Sequence, residues 1–123
     1  MKERVTTMAA FERVAPILPV RDLGASLAHY RRLGFAVREY EGGGYGFATR
    51  DGIEIHLGTV PSGEVHRASW YAFVDDADAL AAEWRTAGVE VHGPQDTEWG
   101  KREGAVVDPD GNVVRFGSNL EPA

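Results

Sequence analysis

The sequence has 123 residues, the length of one ordinary domain, since chains divide into several cores only well beyond roughly 150 residues. Hydrophobic residues make up 43% and charged residues 26%, as in soluble globular proteins. The 13 Lys and Arg against 19 Asp and Glu give a formal net charge of −6, which argues against nucleic acid and favours a cationic ligand. The lack of Cys excludes disulfide frameworks and thiolate zinc sites.

Residues 1–12 are predicted to form an N-terminal tail. Residues 1–11 contain no hydrophobic signal core, and no part of the sequence approaches the roughly 18 apolar residues needed to span a bilayer. We therefore expect a cytoplasmic protein with no membrane partner.

A first βαβββ module is predicted over residues 13–60. Residues 14–20 form an apolar run with two prolines, which suits an edge strand or a strand start, and Asp22 can cap the helix that follows. Leucine and tyrosine at helical spacing extend that helix to Gly34, a residue typical of a helix C-terminus. Three strands separated by glycine-containing turns complete the module; they are predicted near residues 36–41, 45–50 and 53–59.

A second module of the same order is predicted over residues 69–119, after a linker at residues 61–68. A strand over residues 69–74 precedes a helix over residues 77–87, which Gly88 ends. Three more strands are predicted near residues 90–92, 102–107 and 112–117.

The two modules are related by an internal repeat. When Val20–Val37 is shifted by 54 positions onto Val74–Val91, 7 of the 18 pairs are identical. A second match, at an offset of 59, pairs Asp51-Gly52 with Asp110-Gly111. The offsets differ by five residues, so the second module carries an insertion before Asp110.

One helix can cover only one face of a four-stranded sheet, so each module has a second, open face. Strand alternation places Glu54 and His56 on the open face of the first module, because Ile53, Ile55 and Leu57 are needed against its helix. In the second module the same alternation places side chains of the first and last strands on the open face. The side chains predicted on that open face are those of Ser69, Tyr71, Phe73, Val113, Arg115 and Gly117.

These features predict an α+β fold of paired βαβββ modules whose mixed sheet, eight strands in all, forms an open groove. Val20-Arg-Asp-Leu23, Leu33-Gly-Phe35 and Asp108-Pro-Asp-Gly-Asn112 within this pattern resemble the vicinal oxygen chelate (glyoxalase, bleomycin resistance and dioxygenase) superfamily. Ala15-Pro-Ile-Leu-Pro19 and Trp99-Gly-Lys-Arg-Glu103 are similar to the bleomycin resistance protein branch.

The resemblance also implies where a metal would be held. Metal-using members place His, Gln or Glu on the open face of the first and last strands of each module. The corresponding residues here are Ala15, His56, Ser69 and Arg115, of which only His56 is a credible ligand. His29, His66 and His92 do not converge on these positions. We therefore expect no metal site, no cofactor and no catalysis.

The resemblance implies instead a homodimer that sequesters a bleomycin-type antibiotic, a cationic glycopeptide with a planar tail, in grooves between its subunits. Aromatic side chains on the open face would stack on such a ligand. The predicted ligand-binding residues are Tyr45, His56, Tyr71, Phe73, Trp99, Gly100, Glu103 and Arg115. Two alternatives remain at this stage, another small-molecule binding member of the superfamily and a metal-dependent lyase or dioxygenase.

Overall fold

The computed structural model describes residues 8–61, 64 and 67–120. The predicted βαβββ order occurs twice. The first module contains β1 (Ile17–Val20), α1 (Leu23–Arg32), β2 (Ala36–Glu39), β3 (Tyr45–Arg50) and β4 (Ile53–Thr59). The second contains β5 (Ser69–Phe73), α2 (Ala77–Thr86), β6 (His92–Asp96), β7 (Lys101–Val107) and β8 (Val113–Asn119). His66, most of the predicted tail and half of the predicted linker lie outside the described residues.

The eight strands form two four-stranded mixed sheets, in the orders β1-β4-β3-β2 and β5-β8-β7-β6. In the first sheet β1 runs parallel to β4, and in the second β5 runs parallel to β8; all other neighbouring strands are antiparallel. Ile17 pairs with His56 in the first sheet, and Tyr71 pairs with Arg115 in the second. These pairs are related by the offsets of 54 and 59, so strand register confirms the repeat.

Both helices begin and end at the predicted kinds of residue. The carboxylates of Asp22 and Asp76 accept hydrogen bonds from the amides of Ala25 and Ala79, both at 3.0 Å. Gly34 and Gly88 follow the two helices with φ of 89° and 83°, a left-handed conformation that favours glycine.

The sixth strand differs most from its prediction. It was expected at residues 90–92 but runs from His92 to Asp96, across Gly93-Pro94. The strand tolerates a proline because it lies at the edge of its sheet, and because the register shifts between His92 and Gln95. The expectation was wrong because a Gly-Pro pair ordinarily indicates a turn.

One hydrophobic core is shared by both modules, and polar contacts lock their junction. The Tyr30 hydroxyl on α1 donates to Asp108 Oδ2 at 2.9 Å, and the fully buried Asn112 amide donates to the Pro19 carbonyl at 2.9 Å. The indole of Trp84 on α2 donates to the Leu33 carbonyl at 2.9 Å. This junction leaves the open face of each sheet uncovered. No helix in the described part of the chain has the length and apolar character needed to cross a membrane.

Candidate functional site

The predicted site residues lie on two separate surfaces. We define the first face as the open side of β1-β4-β3-β2, which carries Tyr45, Phe47, Glu54 and His56. We define the second face as the open side of β5-β8-β7-β6, with Tyr71, Phe73, Glu103, Arg115 and the adjacent Trp99. Among the described residues, no hydrogen bond or ring contact joins these two sets. A single chain therefore carries the predicted site residues on two separate faces.

The first face contains a chain of polar contacts that ends at the N-terminal segment. The Tyr45 hydroxyl lies 2.8 Å from His56 Nδ1, and His56 Nε2 lies 2.6 Å from Glu54 Oε2. Arg13 forms an ion pair with the same Glu54 oxygen at 2.9 Å. Both ring nitrogens of His56 are thus engaged by neighbouring side chains.

The hydrogen bonds from His56 and Arg13 lower the pKa of Glu54, so its carboxylate is ionised at neutral pH. Phe47 lies beside this chain of contacts, with ring centroids 4.9 Å from His56 and 5.5 Å from Tyr45. All these contacts are edge-on, which is the favoured geometry for neighbouring aromatic rings. The result is an ordered aromatic surface backed by an ionised carboxylate.

Glu103 organises the second face. Its Oε2 accepts hydrogen bonds from the Tyr71 hydroxyl at 2.7 Å and from the Trp99 indole at 3.1 Å. Arg115 approaches its other oxygen at 3.6 Å. The hydrogen bonds from Tyr71 and Trp99 lower the pKa of Glu103. Partial burial, then the bond to Glu103, raises the pKa of Tyr71 to about 12, so the phenol stays protonated.

A glycine in the central strand makes the contact between Tyr71 and Glu103 possible. Gly117 pairs with Phe73 on one side and with Glu103 on the other. A Cβ atom at Gly117 would collide with the Tyr71 hydroxyl, and it would lie 3.1 Å from Glu103 Cγ. The Tyr71 ring therefore lies across the strand at a point where no side chain intervenes.

Trp99 is held at the rim of a cleft by the loop before β7. The Thr97 amide and hydroxyl both donate to the Lys101 carbonyl, at 2.8 and 2.9 Å, and Gly100 has φ of 83°. The Trp99 side chain remains 67% exposed. The cleft encloses about 410 Å³, and Trp99, Glu103 and Arg115 contribute to its lining. Gly100 thus shapes the turn that positions Trp99.

Among the charged side chains named on each face, two are cationic and one is anionic. On the first face, Glu54 faces Arg13, while the Arg38 guanidinium lies 3.9 Å above the Phe47 ring. On the second, Glu103 faces Arg115, and Lys101 donates to Asn119 at 2.6 Å. The net charge of −6 is therefore not concentrated on the open faces.

These residues do not fit a metal ion. Ala15 has no donor atom in its side chain, and Arg115 is a permanent cation beside Glu103. His56, the one credible ligand, has both nitrogens engaged. Within the described ranges, no three His, Asp or Glu residues come together as a metal site would require.

The arrangement of strands, open faces and motifs matches a known family. The family model described as "Glyoxalase/Bleomycin resistance protein/Dioxygenase superfamily" matches residues 10–116. The chain belongs to this superfamily. The resemblance that the sequence motifs suggested is therefore confirmed, and with it the fold class.

Its relatives in this superfamily include binding proteins. The chain is 29% identical over 119 residues to a bleomycin resistance protein from Klebsiella pneumoniae, covering 88% of this chain and 93% of that protein. A bleomycin resistance determinant encoded on the transposon Tn5 has a similar structure, with a TM-score of 0.78, 25% identity, and coverage of 89% and 98%. A bleomycin-binding protein complexed with bleomycin gives a TM-score of 0.73, 25% identity, and coverage of 89% and 99%.

Phe47 and Arg13 contribute to the first face but were absent from the predicted ligand-binding set. Phe47 could have been found, because it lies two residues from Tyr45 on the same strand and so shares its side of the sheet. Arg13 could not, because it lies before β1 and reaches Glu54 only through the folded chain.

Proposed function

We propose that this protein binds and sequesters an antibiotic of the bleomycin type without transforming it chemically. The observation that carries the proposal is Trp99, an exposed indole that Glu103 fixes at the rim of the 410 Å³ cleft. A planar ligand ring can stack on such a surface with little loss of side-chain entropy, because the ring is already held. The likeness to a bleomycin-bound structure over nearly the whole chain supports the same ligand class.

The complete groove is proposed to form between two copies of the chain. The open faces leave large apolar side chains in solvent, including Ile17 at 59% and Phe73 at 77% exposure. Strands β1 and β5 are both sheet edges, and each carries one of these residues. Exposed apolar surface beside an unpaired edge is typical of an interface. A homodimer would cover these residues and bring two half-sites together.

A binding role is favoured over catalysis because the ligand positions of the metal-using members hold Ala15, Ser69 and Arg115. A metal-dependent lyase or dioxygenase would need several donors there. The other alternative, a small-molecule binder for a different compound, differs from the proposal only in the ligand.

Titration calorimetry with bleomycin-type drugs tests this function. We expect saturable binding by the wild type and a several-fold weaker constant for Trp99→Ala, with Tyr40→Ala as the control. Tyr40 is another exposed aromatic residue, but it follows β2 in the first module and does not line the cleft beside Trp99. Salt should weaken binding modestly, since long-range attraction by the net charge is screened. Absence of saturable binding at high micromolar drug concentration would leave the other-ligand alternative in its place.

Sedimentation velocity across the micromolar range tests the assembly. We expect a dimer. A stable monomer at these concentrations, with drug binding intact, would contradict the proposed groove between subunits.

A further inference from the structure

The Tyr45 hydroxyl on the first face has a role in ligand selection, which rests on the proposed function. Glu54 is ionised, so its carboxylate can only accept hydrogen bonds. His56 Nε2 lies 2.6 Å from that carboxylate and must therefore carry a proton. In a neutral imidazole the other nitrogen, Nδ1, then has a lone pair and no proton.

That lone pair faces the Tyr45 hydroxyl at 2.8 Å, so the phenol proton points at His56. A hydroxyl has one donor and two acceptor positions. With its donor used, the Tyr45 oxygen offers only lone pairs to a bound ligand. Arg13 supports this order from the far end, because its ion pair with Glu54 at 2.9 Å keeps the carboxylate ionised.

We propose that Glu54 and His56 are positioning residues that fix Tyr45 as a hydrogen-bond acceptor, so that the first face selects ligands with an N–H group against similar ligands without one. The second face uses the same principle more directly. The donors of Tyr71 and Trp99 are both directed at Glu103. Aromatic rings with acceptor oxygens therefore characterise both faces, which suits a ligand rich in amide and amine N–H groups.

The first test needs no ligand. Long-range nitrogen–proton NMR of the imidazole rings, at a pH near 8 where ordinary imidazoles are neutral, reports which nitrogen carries the proton. We expect His56 to be protonated at Nε2, to keep that tautomer in Tyr45→Phe, and to lose the preference in Glu54→Gln, because an amide can donate as well as accept. Glu103→Gln is the control, since Glu103 is on the other face. A wild-type ring protonated at Nδ1 would overturn the proposal.

The second test measures selection. The probes are naphthalenecarboxamide and methyl naphthalenecarboxylate. Both molecules are neutral and have the same ring and carbonyl group, but only the amide has N–H groups. We expect the wild type to prefer the amide about fivefold, the effect of one neutral hydrogen bond. His56→Phe keeps a ring in place but frees the phenol proton, so the preference should disappear. Tyr45→Phe should also abolish it.

The two tests separate this inference from the proposed function. If bleomycin-type drugs fail to bind but the tautomer and the probe preference are as expected, the antibiotic assignment falls and the role of Tyr45 stands. If the Nε2 tautomer is present but the wild type shows no preference between the probes, including the case in which neither binds, the selection role is overturned.

Discussion

The two open faces occupy equivalent places in the repeat, and in each a tyrosine packs against a glycine of the central strand. The tyrosine comes from a different neighbouring strand in each face. Each central strand has a glycine, Gly58 in the first face and Gly117 in the second, and in each a tyrosine lies against it. In the first face the tyrosine comes from the antiparallel neighbour β3, as Tyr45. In the second it comes from the parallel neighbour β5, as Tyr71.

This difference changes what each tyrosine contacts. Tyr45 contacts the imidazole of His56, whereas Tyr71 contacts the carboxylate of Glu103. Tyr45 and Glu103 are equivalent, since they pair with Gly58 and Gly117 respectively. The same backbone arrangement thus supports two different sets of polar contacts, so in the proposed complex the two faces would not need to contact the same part of the ligand.

Substitution of the two glycines should distinguish the two faces most strongly. Gly117→Ala places a Cβ against the Tyr71 hydroxyl, whereas a Cβ at Gly58 would lie at an ordinary 3.4 Å from Tyr45. We expect Gly117→Ala to destabilise the fold by about 1–3 kcal/mol, as overpacking does, and to separate Tyr71 from Glu103. Urea denaturation measures the free energy of unfolding. Comparable losses in Gly58→Ala would mean that the two glycines have the same role.

Removal of the Trp99 ring should have the next largest effect, on affinity rather than stability. A lost stacking partner costs on the order of 1 kcal/mol, so Trp99→Ala should bind a bleomycin-type drug roughly fivefold less tightly. Trp99→Phe should retain most of the affinity, because it keeps a ring while losing the bond to Glu103. Calorimetry measures both, and equal losses would assign the effect to that hydrogen bond.

Neutralising one carboxylate on each face should separate the faces by charge. Glu103→Gln leaves Arg115 and Lys101 unbalanced on the second face, so a cationic drug should bind roughly threefold more weakly at low salt. Glu54→Gln leaves Arg13, which is largely exposed and can move into solvent. Its effect on affinity should therefore be smaller, and the reverse order would show that the first face holds the cationic part of the drug.

The smallest effect concerns the ionisation of Tyr71 and leaves neutral-pH behaviour unchanged. The folded-state pKa, about 12, lies above the ordinary value of 10.0, so this group's contribution to stability is complete below pH 10.0 and is lost as the pH rises toward 12. Ultraviolet titration of the phenols should show one transition missing in Tyr71→Phe and moved toward lower pH in Glu103→Gln. An unchanged transition in Glu103→Gln would mean that burial alone sets this pKa.

Most of the fold could be predicted from local patterns. Alternating apolar residues define β4 and most of its buried side: Ile55 and Leu57 are fully buried, but Ile53, which was also predicted to face the helix, lies at the start of the strand and is 53% exposed. The repeat then transfers each element from one module to the other. The prediction of the sixth strand was wrong because its edge position, which tolerates Pro94, is a property of the assembled sheet.

For the site, the face on which individual residues lie could be predicted, but the contacts between those residues could not. Alternation correctly placed His56, Tyr71 and Arg115 on open faces, because the direction of a side chain is a local property of a strand. Which side chains meet depends on register between distant strands. Tyr71 and Glu103 are 32 residues apart and meet only across Gly117. No local pattern marks that glycine as different from one in a turn.

The turn at residues 108–112 bears on how this molecule unfolds. Asp108 holds the turn together through the amides of Asp110 and Asn112, at 2.8 and 2.9 Å, while it also accepts from Tyr30 of the other module. Loss of either module would therefore strip buried polar groups from the other. Cooperative loss of both halves in one transition follows, and fragments cut between them should behave as complementing pieces rather than as autonomous domains. The sequence consists of two repeated modules, but we expect both modules to unfold together as one unit.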